Sequence, residues 1–199
     1  MNNYLVVIPA RYQSSRFPGK PLADIHGKSM LRRVWDKCIQ AASPEKILVA
    51  TDDDRIKEHC QENGIQVEMT SSSCLTGTDR LYEVALKRKS DIYINVQGDE
   101  PLVSPNDIKA VIDASKNEPE ITFNAMCQIN EEADFRNPNV PKVVTQMDGR
   151  LLYMSRAPIP TNKKFEFASA MKQVCIYAFP YDTLITFGSL KEKTPLESI

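Results

Sequence analysis

The sequence is poor in the residues on which several common enzyme mechanisms depend. Its 199 residues include only two histidines, His26 and His59, and neither has a second metal ligand at a regular spacing. The five cysteines are far apart and form no C-x-x-C pair. These absences argue against a histidine-based catalytic triad, a zinc site and a disulfide framework. They predict reduced cysteines that mostly fill core space.

Long apolar runs and an excess of charge are also missing. No stretch approaches the roughly 20 apolar residues of a membrane span. The start, MNNYLVVIPARY, lacks the basic and apolar regions of a signal peptide. The formal net charge is -1 at pH 7, so no global field favours nucleic acid or an anionic membrane. We therefore expect a cytoplasmic protein without nucleic-acid or membrane partners, in which any anion site is local.

The glycine-rich motifs of the common nucleotide-binding loops are absent after the first apolar run, YLVVI. Neither the Walker pattern G-x-x-x-x-G-K-[ST] nor the Rossmann pattern G-x-G-x-x-G occurs there, and PARYQSSRFPGKPL follows instead. This loop carries Arg11, Arg16 and Lys20 and no acid. With the backbone amides around Gly19, these side chains could hold phosphates, whereas an exposed basic loop is the simpler alternative. Three prolines stiffen the loop, which favours a triphosphate site.

What the chain does contain, over about its first 115 residues, is a regular alternation of apolar runs and helical patterns. Strands are predicted at YLVVI, KILVA, IQVEM and DIYINV. Helices are predicted after Ser29, after TDDD, over 78–87 and from Pro105. This order predicts a parallel sheet with helices on both faces. After about residue 120 the pattern changes to strands and turns, with a hairpin at Asp148-Gly149 and a last strand, KQVCIYAF.

Two further polar motifs follow predicted strands, and ligands of parallel sheets bind beyond the carboxyl ends of strands. Asp99 in QGDEP suits Mg²⁺, although a turn or helix-capping role is the alternative. In SCLTGTDRL, Gly77 and Thr78 could let the backbone approach a base or ribose. A capping box led by Thr76 or Thr78 explains that motif equally well. Arg156 in SRAPIP is a candidate clamp for a substrate carboxylate or one half of a surface ion pair.

Taken together, these motifs resemble a known family. PARYQSSRFPGKPLADIHGKSML is similar to the opening signature of the cytidylyltransferases that activate 3-deoxy-manno-octulosonate (Kdo), the acidic sugar of bacterial lipopolysaccharide. The family's further motifs follow in order as VATDDDRI, TGTDRLYEV, INVQGDEPLV, NPNVPKVV, LYMSRAPIP, IYAF and TPLES. The resemblance covers essentially the whole chain.

The fold implied by the resemblance is α/β and nucleotide-diphospho-sugar transferase-like. It is a three-layer, mostly parallel nucleotide-binding sheet with an antiparallel dimerisation excursion. We expect a single nucleotidyltransferase domain over residues 1–199, in which about 121–170 include a dimer arm or lid. A homodimer is expected through the arm from about Asn137 to Pro160.

The resemblance also implies residue roles. Mg²⁺ is the expected cofactor with Asp99 as its ligand, and Arg11, Lys20 and Asp99 would be the catalytic groups. The CTP phosphates would be held by Arg11, Arg16 and Lys20. The nucleoside would lie near Gly77, Thr78, Asp79, Arg80 and Gln97. The sugar acid would be surrounded by Arg156, Gln173, Tyr177 and Glu197.

Two departures from the family pattern bear on these roles. Gln173 stands where the family commonly has a histidine near the sugar. The family also continues past the position of Ile199 into a segment with a second metal-binding aspartate, and we expect that segment to be missing from this chain.

The expected reaction is attack of the anomeric hydroxyl of a 2-keto-3-deoxy sugar acid on the α-phosphorus of CTP, which gives CMP-sugar and pyrophosphate. Three alternatives stay open. One is a cytidylyltransferase for another acidic sugar, such as 8-amino-Kdo or a nonulosonic acid. The second is an enzyme of the same fold that uses UTP or another nucleotide. The third is a non-catalytic nucleotide-binding dimer.

Overall fold

The chain folds as two units, the first formed by Met1–Phe123 with Ile176–Ile199 and the second by Asn124–Cys175. This computed structural model describes residues 3–14 and 17–190. The second unit nearly coincides with the excursion expected at about 121–170. The assignment of 1–199 to one nucleotidyltransferase domain stays a prediction.

Strands and helices alternate through the first unit, and strands dominate the second. The strands are β1 Tyr4–Ala10, β2 Asp24–Ile25, β3 Lys28–Ser29, β4 Ile47–Thr51, β5 Val67–Met69, β6 Ile92–Val96, β7 Phe123–Gln128, β8 Lys142–Thr145, β9 Leu151–Ser155 and β10 Met171–Pro180. The helices are α1 Met30–Cys38, α2 Asp54–Glu62, α3 Gly77–Lys87, α4 Pro105–Asn117, α5 Glu132–Arg136 and α6 Tyr181–Gly188. None of these helices, within the described part of the chain, is long and apolar enough to cross a bilayer.

The sheet of the first unit has the order β5-β4-β1-β6-β10. Neighbouring strands from β5 to β6 run parallel, and the end of β10 pairs antiparallel with β6. Central β1 is in register with both neighbours, since Val7 lies opposite Leu48 of β4 and Asn95 of β6. The predicted α/β fold with a mostly parallel sheet is confirmed. The carboxyl ends of β1, β4, β5 and β6 therefore meet at one edge, where their loops can build a site.

Both faces of this sheet are covered by helices. On one face Val7 joins a fully buried cluster with residues of α3 and α6, including Leu81, Val84 and Leu184. Val6 and Ile8 are equally buried and point to the opposite face, because side chains alternate along a strand. On that face α1 contacts β1, and α4 contacts β6. Each fully buried aliphatic side chain contributes about 1.5–3 kcal/mol, so packing on both faces fixes the sheet.

Local capping explains where several helices begin. Ser29 and Ser104 accept hydrogen bonds from the third residue of α1 and α4, as the sequence predicts. Within TDDD it is Asp53 that caps α2. Helix α1 ends at Cys38, and the amides of residues 41 and 42 both donate to the Cys38 carbonyl in the turn that follows. The short α5 and α6 have no strong sequence signal and were not predicted.

The second unit contains the predicted hairpin. Strands β8 and β9 pair antiparallel, and Gly149 takes a φ of 88° at the turn between them. This left-handed conformation suits glycine, which has no Cβ to clash. A small core forms from Ile129, Phe135 and Ala170, with the Phe167 ring 5.0 Å from that of Phe135.

Helix α6 packs against α3 through a contact that leaves no room for a side chain. A Cβ atom at Gly188 would overlap the ring of Tyr82. Gly188→Ala should therefore destabilise the protein by about 1–3 kcal/mol, the usual cost of overpacking. Urea unfolding measures this change.

The exposed helix position Thr183, substituted by alanine, is the matched control and should be close to neutral. In open helix an alanine is favoured over glycine by about 1 kcal/mol. A stabilised Gly188→Ala variant would therefore show that the Tyr82 contact is wrong.

Candidate functional site

A cleft of about 440 Å³ opens at the carboxyl edge of the sheet in the first unit. The loop after β1 borders it with Ala10, Arg11, Ser14, Phe17, Lys20 and Pro21. The segment after β5 contributes residues 74–77 and Arg80, and the loop after β6 contributes residues 97–99. The three polar motifs that sequence analysis places at strand ends therefore line one cleft.

The loop after β1 is folded around Tyr12. Gly19 has a φ of 73°, its amide donates to the Tyr12 carbonyl at 2.8 Å, and a Cβ there would touch the Tyr12 ring at 3.0 Å. The Arg55 guanidinium lies 3.3 Å from the centroid of the same ring. The Lys20 amide donates to the carbonyl of Phe17 at 3.3 Å. The expected nest of anion-binding amides is therefore wrong for Gly19 and Lys20, because both amides donate hydrogen bonds within the loop. The cationic side chains of the loop remain as donors to an anion.

The segments after β5 and β6 both approach Pro9 near the end of β1. A Cβ at Gly98 would lie 2.7 Å from the Pro9 carbonyl oxygen, so only glycine lets the loop after β6 pass so closely. A Cβ at Gly77 would lie 3.1 Å from Cγ of Pro9 and 3.3 Å from Nε2 of Gln97. The two glycines thus keep the cleft floor narrow. Sequence analysis singled out Gly77 and missed Gly98, although it belongs to QGDEP.

The charges at the cleft are mostly paired. Nζ of Lys20 lies 2.7 Å from Oδ2 of Asp99, and both side chains are partly exposed. Arg80 is almost completely buried and its Nη2 lies 2.8 Å from Oδ2 of Asp52. Arg11 is exposed and forms no ion pair with any residue that the structure describes. Among the described residues that border the cleft, three carry a positive charge, Arg11, Lys20 and Arg80, and one carries a negative charge, Asp99, which suits an anionic ligand.

Thr78 and Asp79, which are predicted to bind the nucleotide, lie in the first turn of α3, where Asp79 takes part in capping the helix. Thr76 is the N-cap of α3, and Oδ2 of Asp79 accepts hydrogen bonds from its amide at 2.6 Å and its hydroxyl at 2.7 Å. The capping-box alternative is therefore present in the structure. Thr78 lies in the first turn of this helix and is not among the residues that border the cleft. Nucleotide binding by Thr78 and Asp79 stays a prediction.

The residues expected around the sugar acid are divided between the units. Tyr177 belongs to the first unit, opposite Asn95 in the register of β10 with β6, and its ring stacks on Phe179 at 6.0 Å. Arg156 and Gln173 belong to the second unit. The sugar roles of these residues stay predictions. The other two predicted positions, Arg16 and Glu197, lie outside the described residues.

Within the second unit, Gln173 donates from Nε2 to Oδ1 of Asn124 at 3.1 Å. Arg156 donates from Nη1 to the Pro138 carbonyl at 2.9 Å. Burial, together with the charge of Arg156, lowers the pKa of the fully buried Lys142. This local excess of positive charge is compatible with a carboxylate ligand of Arg156.

Cys74 borders the cleft although sequence analysis assigned cysteines to the core. Its Sγ donates to Oε1 of Glu83 at 3.3 Å. Burial, followed by this hydrogen bond and the charge of Glu83, raises the pKa of the thiol to about 12. The cleft therefore presents Cys74 as a neutral thiol, which is a poor nucleophile.

Comparison with known proteins gives the family. A cytidylyltransferase family profile matches residues 5–199. The 3-deoxy-manno-octulosonate cytidylyltransferase of Escherichia coli is 40% identical over 195 residues, which are 98% of this chain and 79% of that protein. Its counterpart from Geobacter sulfurreducens is 42% identical over 94% of this chain and 80% of its own length. The chain belongs to the 3-deoxy-manno-octulosonate cytidylyltransferase family. The predicted resemblance is confirmed.

Solved structures agree with this assignment. CMP:2-keto-3-deoxy-manno-octonic acid synthetase, solved in complex with CTP, matches with a TM-score of 0.90 and 40% identity over 99% of this chain and 83% of that chain. A cytidylyltransferase from Leptospira borgpetersenii matches with a TM-score of 0.63 and 19% identity, over 99% of this chain and 68% of that chain. The second match shows likeness of fold alone.

The raised pKa of Cys74 predicts slow alkylation despite its position in the cleft. At pH 8.5 its thiolate fraction should be roughly a thousandfold below that of an ordinary cysteine. Timed iodoacetamide labelling with peptide mass spectrometry should therefore give a rate at least about tenfold below that of an unstructured cysteine peptide, rising steadily with pH. Equal rates at pH 8.5 would contradict the raised pKa of the Cys74 thiol, which burial and the Glu83 contact produce.

Proposed function

We propose that this protein transfers CMP from CTP to the anomeric hydroxyl of Kdo and releases CMP-Kdo and pyrophosphate, for lipopolysaccharide or capsule synthesis. The observation that carries the proposal is the meeting of Arg11, Lys20 and Asp99 in one cleft of a chain that belongs to this family. The CTP bound to a relative of 40% identity supports the choice of nucleotide.

The cleft suits a triphosphate for electrostatic reasons. Arg11 offers a guanidinium that forms no ion pair within the described part of the chain, and Lys20 needs only to leave Asp99 to meet a phosphate. Because that ion pair is partly exposed, it is worth only about 0–1 kcal/mol, and a highly charged ligand can displace it. Once Arg11 and Lys20 face the phosphates, their charges would stabilise the negative charge that develops there during transfer.

Asp99 is the proposed ligand of Mg²⁺. Its carboxylate borders the cleft and is half exposed, and a cation, the Lys20 ammonium, already lies against it. The described residues contain no group of three or more His, Cys, Asp or Glu side chains that could hold a metal. One carboxylate fits Mg²⁺, which usually takes one or two protein ligands and completes its shell with phosphates and water. When bound, the ion would neutralise phosphate charge during transfer.

The chain's own contribution is then positioning and charge neutralisation. Arg11 and Lys20 would orient the phosphates so that the α-phosphorus faces the sugar hydroxyl in line. No histidine borders the cleft, and its cysteine is held neutral by burial and Glu83. The proposed mechanism therefore uses no dedicated histidine or thiolate base.

Pyrophosphate release across a panel of nucleotides and acidic sugars tests this proposal. The expected result is turnover with CTP and Kdo and much less with UTP. Turnover only with 8-amino-Kdo or a nonulosonic acid would replace the sugar, and CTP binding without turnover on any sugar would favour a non-catalytic nucleotide-binding protein.

Within this assay, Lys20→Ala and Asp99→Ala should each reduce turnover by at least about 100-fold, the usual effect of losing a preorganised charge. Lys28 and Asp36 form an ion pair at 2.6 Å outside the cleft, so their alanine variants are matched controls and should retain activity. Near-wild-type pyrophosphate release by either cleft variant would overturn its assigned role.

We further propose that the protein works in the cytoplasm as a homodimer joined through the second unit. Among the described strands β9 pairs with β8 alone, and an edge strand offers unpaired backbone groups to a second chain. Large apolar side chains are exposed on this hairpin, namely Met147, Leu151, Leu152 and Tyr153. An exposed apolar cluster of this kind favours association.

Leu152→Asp should shift the protein towards monomer, because a dimer would have to bury the new charge. Light scattering measures the mass over a range of concentrations. Leu86, which is similarly exposed on α3, gives the control variant Leu86→Asp, whose mass should equal that of the wild type. A wild-type protein that is monomeric at high concentration would refute the dimer.

A further inference from the structure

The ion pair between Asp52 and Arg80 is buried on both sides. The side chain of Arg80 is 4% exposed and that of Asp52 is 15% exposed, with 2.8 Å between Nη2 and Oδ2. Removing one partner of such a pair leaves a buried charge without compensation, which is strongly unfavourable. Arg80 also borders the cleft, whereas Asp52 does not.

Arg80 contacts residues that follow two different strands. Its Nη1 donates to Oγ1 of Thr70 at 2.7 Å and to the carbonyl of Ser71 at 3.3 Å. These residues follow β5, while Asp52 follows β4. Since an arginine side chain has five donors, three of which bond these protein acceptors, Arg80 keeps capacity for a ligand. Its position depends on the acceptors around it.

A second residue of α3 also forms hydrogen bonds with the segment after β5. Glu83, one turn after Arg80, accepts from the Ser71 amide at 2.7 Å and from the Cys74 thiol at 3.3 Å. Arg80 and Glu83 therefore fasten residues 70–76, several of which border the cleft. Of the acceptors around Arg80, Asp52 alone carries the opposite charge.

Neighbouring aspartates make different contacts. Asp53 caps α2 by accepting from the Arg55 amide at 3.0 Å and pairs with the Arg55 side chain at 2.7 Å. Asp54 is 79% exposed and lies 3.7 Å from Lys57. Of the three, only Asp52 is coupled to a residue of the cleft.

We infer that Asp52 is a positioning residue of the nucleotide cleft, which holds Arg80 against the segment after β5 so that its remaining donors face the ligand. This inference rests on the proposed function, in which the cleft binds CTP. Asp52 touches no ligand and acts through the Arg80 guanidinium. The residue comes from the TDDD motif, which sequence analysis placed before a helix and within the family motif VATDDDRI, without a role in the cleft.

The decisive variant is Asp52→Asn. The amide keeps the size of the side chain and an oxygen acceptor but leaves the buried Arg80 charge uncompensated, so the guanidinium should leave its position. We expect CTP affinity to fall by at least about tenfold in titration calorimetry. Asp54→Asn, at an exposed neighbouring position that pairs only weakly with Lys57, is the matched control and should bind CTP like the wild type.

A double-mutant cycle separates positioning from a general structural effect. Arg80→Met removes the guanidinium, and Asp52→Asn added to it leaves no buried charge. If Asp52 acts through Arg80, the second substitution should change CTP affinity by less than about twofold, whereas independent effects would multiply. The double variant also keeps the test decisive if Asp52→Asn alone does not fold, because it removes the unpaired charge.

Three outcomes have distinct meanings. Loss of CTP affinity in Asp52→Asn with a non-additive cycle supports the inference. Unchanged affinity in folded Asp52→Asn, or multiplying losses in the cycle, overturns it. A wild-type protein that does not bind CTP at all overturns the proposed function, and the inference with it.

Discussion

The close approach of the loops after β5 and β6 to Pro9 is the constraint on which the cleft depends. Pro9 lies at the end of the central strand, and the loops after β5 and β6 reach it only because Gly77 and Gly98 lack side chains. The parallel sheet brings strand ends to one edge, but it does not by itself bring loops within van der Waals distance. Because these two glycines have no side chains, the loops at this edge come close enough together to form a cleft of about 440 Å³.

The charged side chains at this edge of the sheet form two ion pairs. Buried Arg80 meets Asp52, and partly exposed Lys20 meets Asp99. The two pairs differ in consequence, because a buried pair fixes geometry whereas an exposed one contributes little and exchanges readily. The buried pair therefore holds the segments after β4 and β5 rigidly. The exposed pair joins the loops after β1 and β6 by a contact that can exchange with a ligand.

Much of the first unit could be predicted from the sequence, because its strands are continuous apolar runs and its helices carry caps at Ser29 and Ser104. The excursion and its hairpin at Asp148-Gly149 were equally visible. Short α5 and α6 were missed because they are held by packing, such as the fit of Gly188 on Tyr82, which leaves no periodic signal. The cleft motifs were found by their position after strands. What could not be predicted was which charges pair, since the contact between Asp52 and Arg80 joins distant parts of the chain.

The ion pair of Lys20 and Asp99 has a consequence for ligand selection. A simple anion that takes Lys20 leaves Asp99 without its cation, and a divalent cation that takes Asp99 leaves Lys20 without its anion. Each of these ligands alone must offset the loss of the pair. A nucleotide that arrives together with its metal supplies both opposite charges at once and leaves neither side chain alone. In the proposed function, this pair would therefore favour a nucleotide with its metal over either ion alone, by no more than the roughly 0–1 kcal/mol that such an exposed pair is worth.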